Sequence, residues 1–427
     1  MKQTINIPSC LGKLIRFVSF RCLFVSLFFA VFVLPVQAVI LDWSGVYEVE
    51  MNTLQNGDFE QWGSGEFFHN LHLKPDIKAF DGVHVRSWFL LTPQDTSQAV
   101  FTPQLRQDTN QSAVYRTFRL QKGVNFGNPG AAFPPLISVR DLYLEVVHDF
   151  GLFQIGWKPH HFGLGMYYND SVKPFSSFYN SGGGSAGFLS WRGFIGSAYY
   201  VQPMVHYIDE ALVNLFIQAG FNGDKYGAEI IYKSSSLGVT KGRDSKPNEV
   251  SSSYIGVYAY YTKENILNVQ LEVAQMSGVY GGVINADWQT PVKWLNVGLD
   301  VGASTSNEKK TFYFHPSFSS RLSFLIEEYQ ALKSKKEEGT QYPGYSFHSG
   351  FYIAPSVHFS LSDSLSLSPL FSTHLSYSNG DVLFYHLELT LKYQIAEGLT
   401  WNTGAGVLFP KEDNWHIGFI SQAAITF

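Results

Sequence analysis

Hydrophobic and polar residues alternate one for one over long stretches of this chain, most regularly toward residue 427. Trp415, Ile417, Phe419, Ala423, Ile425 and Phe427 share one parity, while Asn414, His416, Gly418, Gln422, Ala424 and Thr426 take the other; Ile420 is the single misfit. A period of two puts successive side chains on opposite faces of a β-strand. Segment 383–395 sets Leu383, Tyr385, Leu387, Leu389, Leu391, Tyr393 and Ile395 against His386, Glu388, Thr390, Lys392 and Gln394. The same pattern runs through 399–409, 364–377 and 347–359, and with more noise through 292–302, 266–275, 253–262, 226–233, 211–221, 152–157, 139–147 and 83–90. Between these runs stand "SDS", "NGD", "EGL" and "PKEDN". Asn-Gly in particular supplies the positive-φ residues of a tight hairpin.

Adjacent antiparallel strands that are apolar on one face and polar on the other make a wall between oil and water. A soluble sandwich would need a second sheet over the apolar face, and no part of the chain is set apart for one. The expected fold is therefore all-β: a single transmembrane antiparallel β-barrel. Outer-membrane barrels have short turns on one side and longer loops on the other. Turns 397–399, 362–364 and 263–265 are short, and the alternate connections 305–345, 237–250 and 159–186 are long. Trp415 and Phe427, on one parity of the last strand, stand roughly 30 Å apart along the barrel axis at about 3.3 Å per residue and a tilt of ~40°. Rings at that spacing sit at the two interfaces of a bilayer. Strand-like segments number 19. Single-chain bacterial barrels have an even count, so one segment is spurious and 16–18 strands are expected. The weak zone is 44–121, where connection 93–111 would fall on the short-turn side.

Composition sharpens this picture. Charged residues are 15% of the 427 and aromatics 16%, against about 25% charged in typical soluble domains. The net charge of −5 argues against a nucleic-acid partner. Lys2, Lys13, Arg16 and Arg21 precede the apolar run Cys22 to Val36, and "VQA" ends at Ala38. That is the layout of a secretory signal peptide over 1–38, with a retained anchor as the alternative, leaving 39–427 as the barrel. Both cysteines, Cys10 and Cys22, fall in the removable part, so neither disulfides nor thiol chemistry are expected. After Ala38 no run of about 18 apolar residues appears, which excludes helical spans.

The lumen-facing parity carries the candidate chemistry. On the last strands it includes His348, Tyr352, His358, His374, His386, Glu388, Lys392, Asn402 and His416, and upstream Arg86, Glu272 and Asp300. Mixed charge with many hydroxyls and imidazoles suits small hydrophilic solutes and predicts weak ion selectivity; the alternative is a set of groups that hydrogen-bond across a plugged interior. In connection 305–345, Phe318, Leu322, Ile326 and Tyr329 follow helical spacing, with Gly339 able to end the helix. This short helix in a long extracellular loop is expected to pack at the barrel mouth and narrow it, or else to pack on neighbouring loops. His374 and Ser376 offer the one enzymatic foothold, being similar to the His-x-Ser pair of outer-membrane lipid hydrolases. Their parity puts them on the water side, away from lipid. His160 and His161 are adjacent and lack a third ligand, so no metal is expected. "SGGGSAG" (181–187) lacks the Lys-Ser/Thr ending of a P-loop, and no cofactor is expected.

Phe427 after alternating apolar residues resembles the C-terminal signal by which Gram-negative outer-membrane barrels are recognised for assembly. That resemblance implies outer-membrane lipids and the barrel-assembly machinery as partners. "FQIGWKPHHFGLGMYYND" (153–170) resembles a strand-and-loop element of porin-like and alginate-export-like barrels, with Trp157-Lys158 and Phe162 departing from the pattern. The function expected is passive passage of small hydrophilic solutes. The alternative is a surface barrel acting through its loops as adhesin, receptor or anchor. Neither the solute nor the oligomeric state is legible.

Overall fold

The computed structural model describes residues 40–56, 66–92, 136–158, 160–166, 186–209, 212–234, 253–264, 266–276, 278–305, 312, 350–376, 382–411 and 414–427. The expected signal peptide, the helix bearing Phe318, Leu322, Ile326 and Tyr329, and His348 lie outside these residues.

Eighteen strands follow one another along the chain. The first six are β1 (Ile40–Asn56), β2 (Glu66–Phe80), β3 (Val83–Thr92), β4 (Leu136–His148), β5 (Gly151–Lys158) and β6 (Ala186–Ile195). The next six are β7 (Tyr199–Asp209), β8 (Leu212–Asn222), β9 (Tyr226–Lys233), β10 (Tyr254–Lys263), β11 (Leu267–Met276) and β12 (Val279–Gln289). The last are β13 (Leu295–Ser304), β14 (Gly350–Ser360), β15 (Leu365–Ser376), β16 (Val382–Ala396), β17 (Leu399–Pro410) and β18 (His416–Thr426). Each pairs antiparallel with its neighbours in sequence, and β1 pairs with β18 from Val46↔Thr426 to Asn56↔His416. The sheet therefore closes, and closure removes every edge, as a wall in hydrocarbon requires. Among the described residues there is no helix.

One rim carries the short turns. At Gly82 and Gly398 the backbone takes φ of 76° and 73°, which a residue without a Cβ adopts freely, and two-residue hairpins result. The opposite rim carries the long connections, including 159–185, 235–252 and 306–349; those after β7, β11, β15 and β17 are short. The connection 93–135 joins β3 to β4 on this same rim. The expectation that 93–111 falls on the short-turn side is thus corrected: β3 ends and β4 begins at the long-connection rim, and β1–β3 are the strands among the described residues of 44–121. In outer-membrane barrels the short turns face the periplasm.

Side chains alternate between the two faces along the strands, interrupted by register shifts such as those at Trp88/Phe89 and His374/Leu375. Outward side chains such as Trp191, Ile217, Tyr232, Ile284, Leu387 and Phe419 are apolar and exposed, as side chains that meet lipid must be. Aromatics gather near both ends: Tyr199, Tyr226, Trp288 and Trp401 toward the short turns, Tyr232, Tyr280, Tyr385 and Trp415 toward the long connections. At the seam, Gly45 and Phe427 exchange backbone hydrogen bonds of 2.9 and 3.1 Å. The Phe427 ring occupies the space a Cβ on Gly45 would take.

The main apolar cluster is inside the barrel, toward one rim. Phe188, Phe216, Tyr254, Val279, Tyr352, Phe384 and Leu408 all face inward near the long-connection rim, and with Ile420 they belong to one buried cluster. Ile420 keeps its parity; it is apolar because the surface it faces is apolar. In the other half the inward residues Asn268, Asn296, His358, Ser366 and Asn402 are half-buried and Lys392 is exposed. Toward the short turns the lining is uneven: these positions of β11–β17 are half-buried or exposed, while Glu145, Gln154, Tyr200, Gln202 and Gln218 of β4, β5, β7 and β8 are buried. A lumen polar along its whole length, as the alternation alone predicts, is not what forms.

Candidate functional site

The packed half is built around a stretch of connection that turns into the barrel. After β5, residues His160–Met166 lie against the inner wall from β7 to β11. The His160 ring meets His206 of β7 at 5.2 Å and Phe216 of β8 at 5.7 Å. Desolvation of its ring, and next the neighbouring His206, hold its imidazole well below the ordinary pKa. Phe162 (1% exposed) and Met166 (0%) are anchored in the cluster. The Phe162 ring sits where a Cβ on Gly256 of β10 would be, 2.9 Å from it. Gly163 and Gly165 take φ of 58° and 78°, and Gly165 N–H donates to the Phe162 carbonyl at 2.9 Å. Alternating left-handed glycines turn neighbouring N–H groups to one side and form an anion-binding concavity. Here the acceptor is a side chain of the barrel: Leu164 N–H (2.8 Å) and Met166 N–H (3.2 Å) both donate to Oε2 of Glu272 on β11.

The wall of β2–β7 carries a linked set of charged and amide groups. Arg86 reaches Oε1 of Glu145 with Nε at 2.9 Å and its terminal nitrogen at 2.8 Å, and lies 3.8 Å from Asp76. Gln154 donates to the other Glu145 oxygen at 2.7 Å, and Lys158 contacts Gln154 at 3.5 Å. Arg192 donates to Gln202 at 2.7 Å and lies over the Tyr200 ring. Asp300 of β13 accepts from Asn285 at 2.6 Å. These inward groups bond to one another around the wall, which is how polar residues survive between neighbouring strands.

The expected lining residues of β14–β18 divide by depth. Tyr352, His374, His386, Glu388 and His416 are buried in the packed half, with His374 stacked 4.0 Å from Phe384 and 5.4 Å from Tyr352. His358, Lys392 and Asn402 stand in the open half, His358 bonding Ser368 at 2.8 Å and Asn402 donating to Gln422 at 3.3 Å. Arg86 also stands in the open half, and Glu272 and Asp300 in the packed half. Ser376 is described only in its backbone, so its pairing with His374 is not tested. A different trio, Ser372, His386 and Glu388, is in sequential contact at 3.4 and 3.5 Å. Its serine and histidine are wholly buried, and a hydroxyl that no substrate can touch is part of the wall.

Sequence reasoning missed the inward turn of 160–166. Its signal was present: Phe162, Leu164 and Met166 alternate with Gly163 and Gly165 in a connection, and three apolar side chains in a loop need somewhere to be buried. Among the described residues no group of His, Cys, Asp or Glu is arranged to hold a metal ion.

No family model matches the chain, and no curated protein matches it in sequence. Solved structures match its fold. OccK1 (OpdK) of Pseudomonas aeruginosa is similar with a TM-score of 0.57 at 8% identity, covering 91% of this chain and 98% of that one. OccK11 (OpdR) of the same organism gives 0.56 at 7%, covering 91% and 96%, and OccAB4 of Acinetobacter baumannii 0.53 at 9%, covering 91% and 98%. The fold of this chain is that of the Gram-negative outer-membrane porin barrels.

Proposed function

We propose that the protein is an outer-membrane channel through which small hydrophilic solutes pass by diffusion, narrowed inside the barrel by residues 160–166. The observation that carries this reading is the closed 18-stranded wall, apolar and exposed on its outward face, with its inward face largely polar and, at His358, Lys392 and Asn402 of the short-turn half, accessible. An interior of that width exceeds what side chains alone can fill. Here a folded-in segment is needed to pack one half of it, and the other half stays accessible in part. The fold shared with the porin barrels OccK1 and OccK11 supports the same reading. Arg86, Asp76, Glu145, His358, Lys392 and Asn402 would line the wider vestibule, and mixed charge there predicts weak selectivity between small cations and anions.

Reconstitution tests it. In planar bilayers the purified protein should give discrete conductance steps, and liposomes containing it should swell at rates that fall steeply with the size of an uncharged solute. Folded, inserted protein that gives neither steps nor swelling would overturn the channel reading.

A further inference from the structure

Glu272 stands out on the inner wall. It occupies an inward position on β11 inside the apolar cluster, fully buried, and the side-chain contacts of its Oε2 are with backbone N–H groups of Leu164 and Met166. A carboxyl group shut away from water is costly unless it is hydrogen-bonded, so the wall and the segment need each other. The fit is close. A methyl group on Gly163 would stand 2.9 Å from Glu272 Oε2 and 3.1 Å from the Tyr258 Cβ, at a φ of +58° that a side chain rarely adopts. Phe162 and Met166 supply adhesion to the apolar bed without direction. The carboxyl group supplies direction, because only one placement of the strap brings two N–H groups onto one oxygen.

We propose that Glu272 is the positioning residue of the constriction: its carboxyl group clamps the 160–166 strap against β10 and β11 and so sets the width of the passage. The role in width rests on the channel reading; the clamp itself does not. A solute need not touch Glu272 for the residue to govern what passes.

The test reads the two parts separately. Both natural cysteines lie at 10 and 22, so Met166→Cys in a Cys-free background reports strap lifting through its reaction with a water-soluble maleimide. Adding Glu272→Ala should speed labelling at least tenfold. That factor corresponds to about 1.4 kcal/mol, within the range for one hydrogen bond. Glu272→Gln, which keeps an acceptor oxygen, should recover most of the protection, whereas Glu272→Met, which fills similar space without an acceptor for the two N–H groups, should not. Equal protection by Gln and Met would reduce the residue to a space-filling role. Gly163→Ala should loosen the strap while leaving the carboxyl group in place. In planar bilayers Glu272→Ala should raise the single-channel conductance or its open-state noise above that of the unmodified protein. Equal labelling of parent and Glu272→Ala would overturn the clamp. Faster labelling with unchanged conductance would overturn its control of the passage. Faster labelling in a protein that conducts in no variant would sink the channel reading and leave the clamp standing.

Discussion

Inside the barrel, rings lie on glycines. The Tyr352 ring fills the space over Gly302, and Tyr200 and Tyr260 cover Gly220 and Gly227. Each ring gains a flat surface one strand away, and each glycine, a weak residue in a strand, is covered where its missing side chain would leave backbone bare. A methyl at Gly302 would enter the Tyr352 ring, so Gly302→Ala should destabilise the folded barrel by roughly 1–3 kcal/mol through overpacking. Gly282 points outward with nothing nearer than 3.5 Å to its missing Cβ, and Gly282→Ala should change stability by less than about 0.5 kcal/mol. Urea unfolding of the two variants from vesicles separates them, and equal midpoints would show that the ring tolerates displacement. These pairs could not be read from sequence, because ring and glycine lie on neighbouring strands and meet only once the register is set.

At the scale of the strand, parity was legible and its inner lining was not. The outward set of β16, Tyr385, Leu387, Leu389, Leu391 and Tyr393, stands in the sequence as it stands in the structure, since lipid tolerates little besides apolar side chains. Phe384, Leu408 and Ile420 break the alternation in the sequence and look like noise. They prove to be inward residues facing the packed half, and what they face comes from elsewhere in the chain. The parity itself predicts a sharp contrast. Leu389 lies midway between Tyr385 and Tyr393, faces outward and is 47% exposed to what is hydrocarbon in the membrane. Leu389→Arg should cost about 2–4 kcal/mol, the penalty for a cation near the bilayer midplane of a barrel. Thr390→Arg, one residue on and facing the lumen, should cost little. Vesicle refolding with the reverse result would place the lipid on the other face.

At the scale of the whole molecule, selectivity is the sum of fixed charges that a moving ion feels along the open half of the lumen. In that half Arg86 stands against two carboxylates, Glu145 at 2.8 Å and Asp76 at 3.8 Å, and its side chain is 42% exposed. A guanidinium so placed neutralises part of the acidic charge of the β2–β4 wall while still facing the water. Arg86→Gln would leave Asp76 and Glu145 uncompensated, and the reversal potential across a KCl gradient should move toward that of potassium. Glu145→Gln should move it toward chloride, and the double variant should return it close to the parent, because the two charges cancel in the lumen. The displacement should be largest near 0.1 M salt, where charges act over about 10 Å, and should shrink toward 1 M, where they act over about 3 Å. Reversal potentials that stay fixed in both single variants at low salt would mean that ions do not pass this wall. The open half would then be a vestibule without a through path, however the strap above it is held.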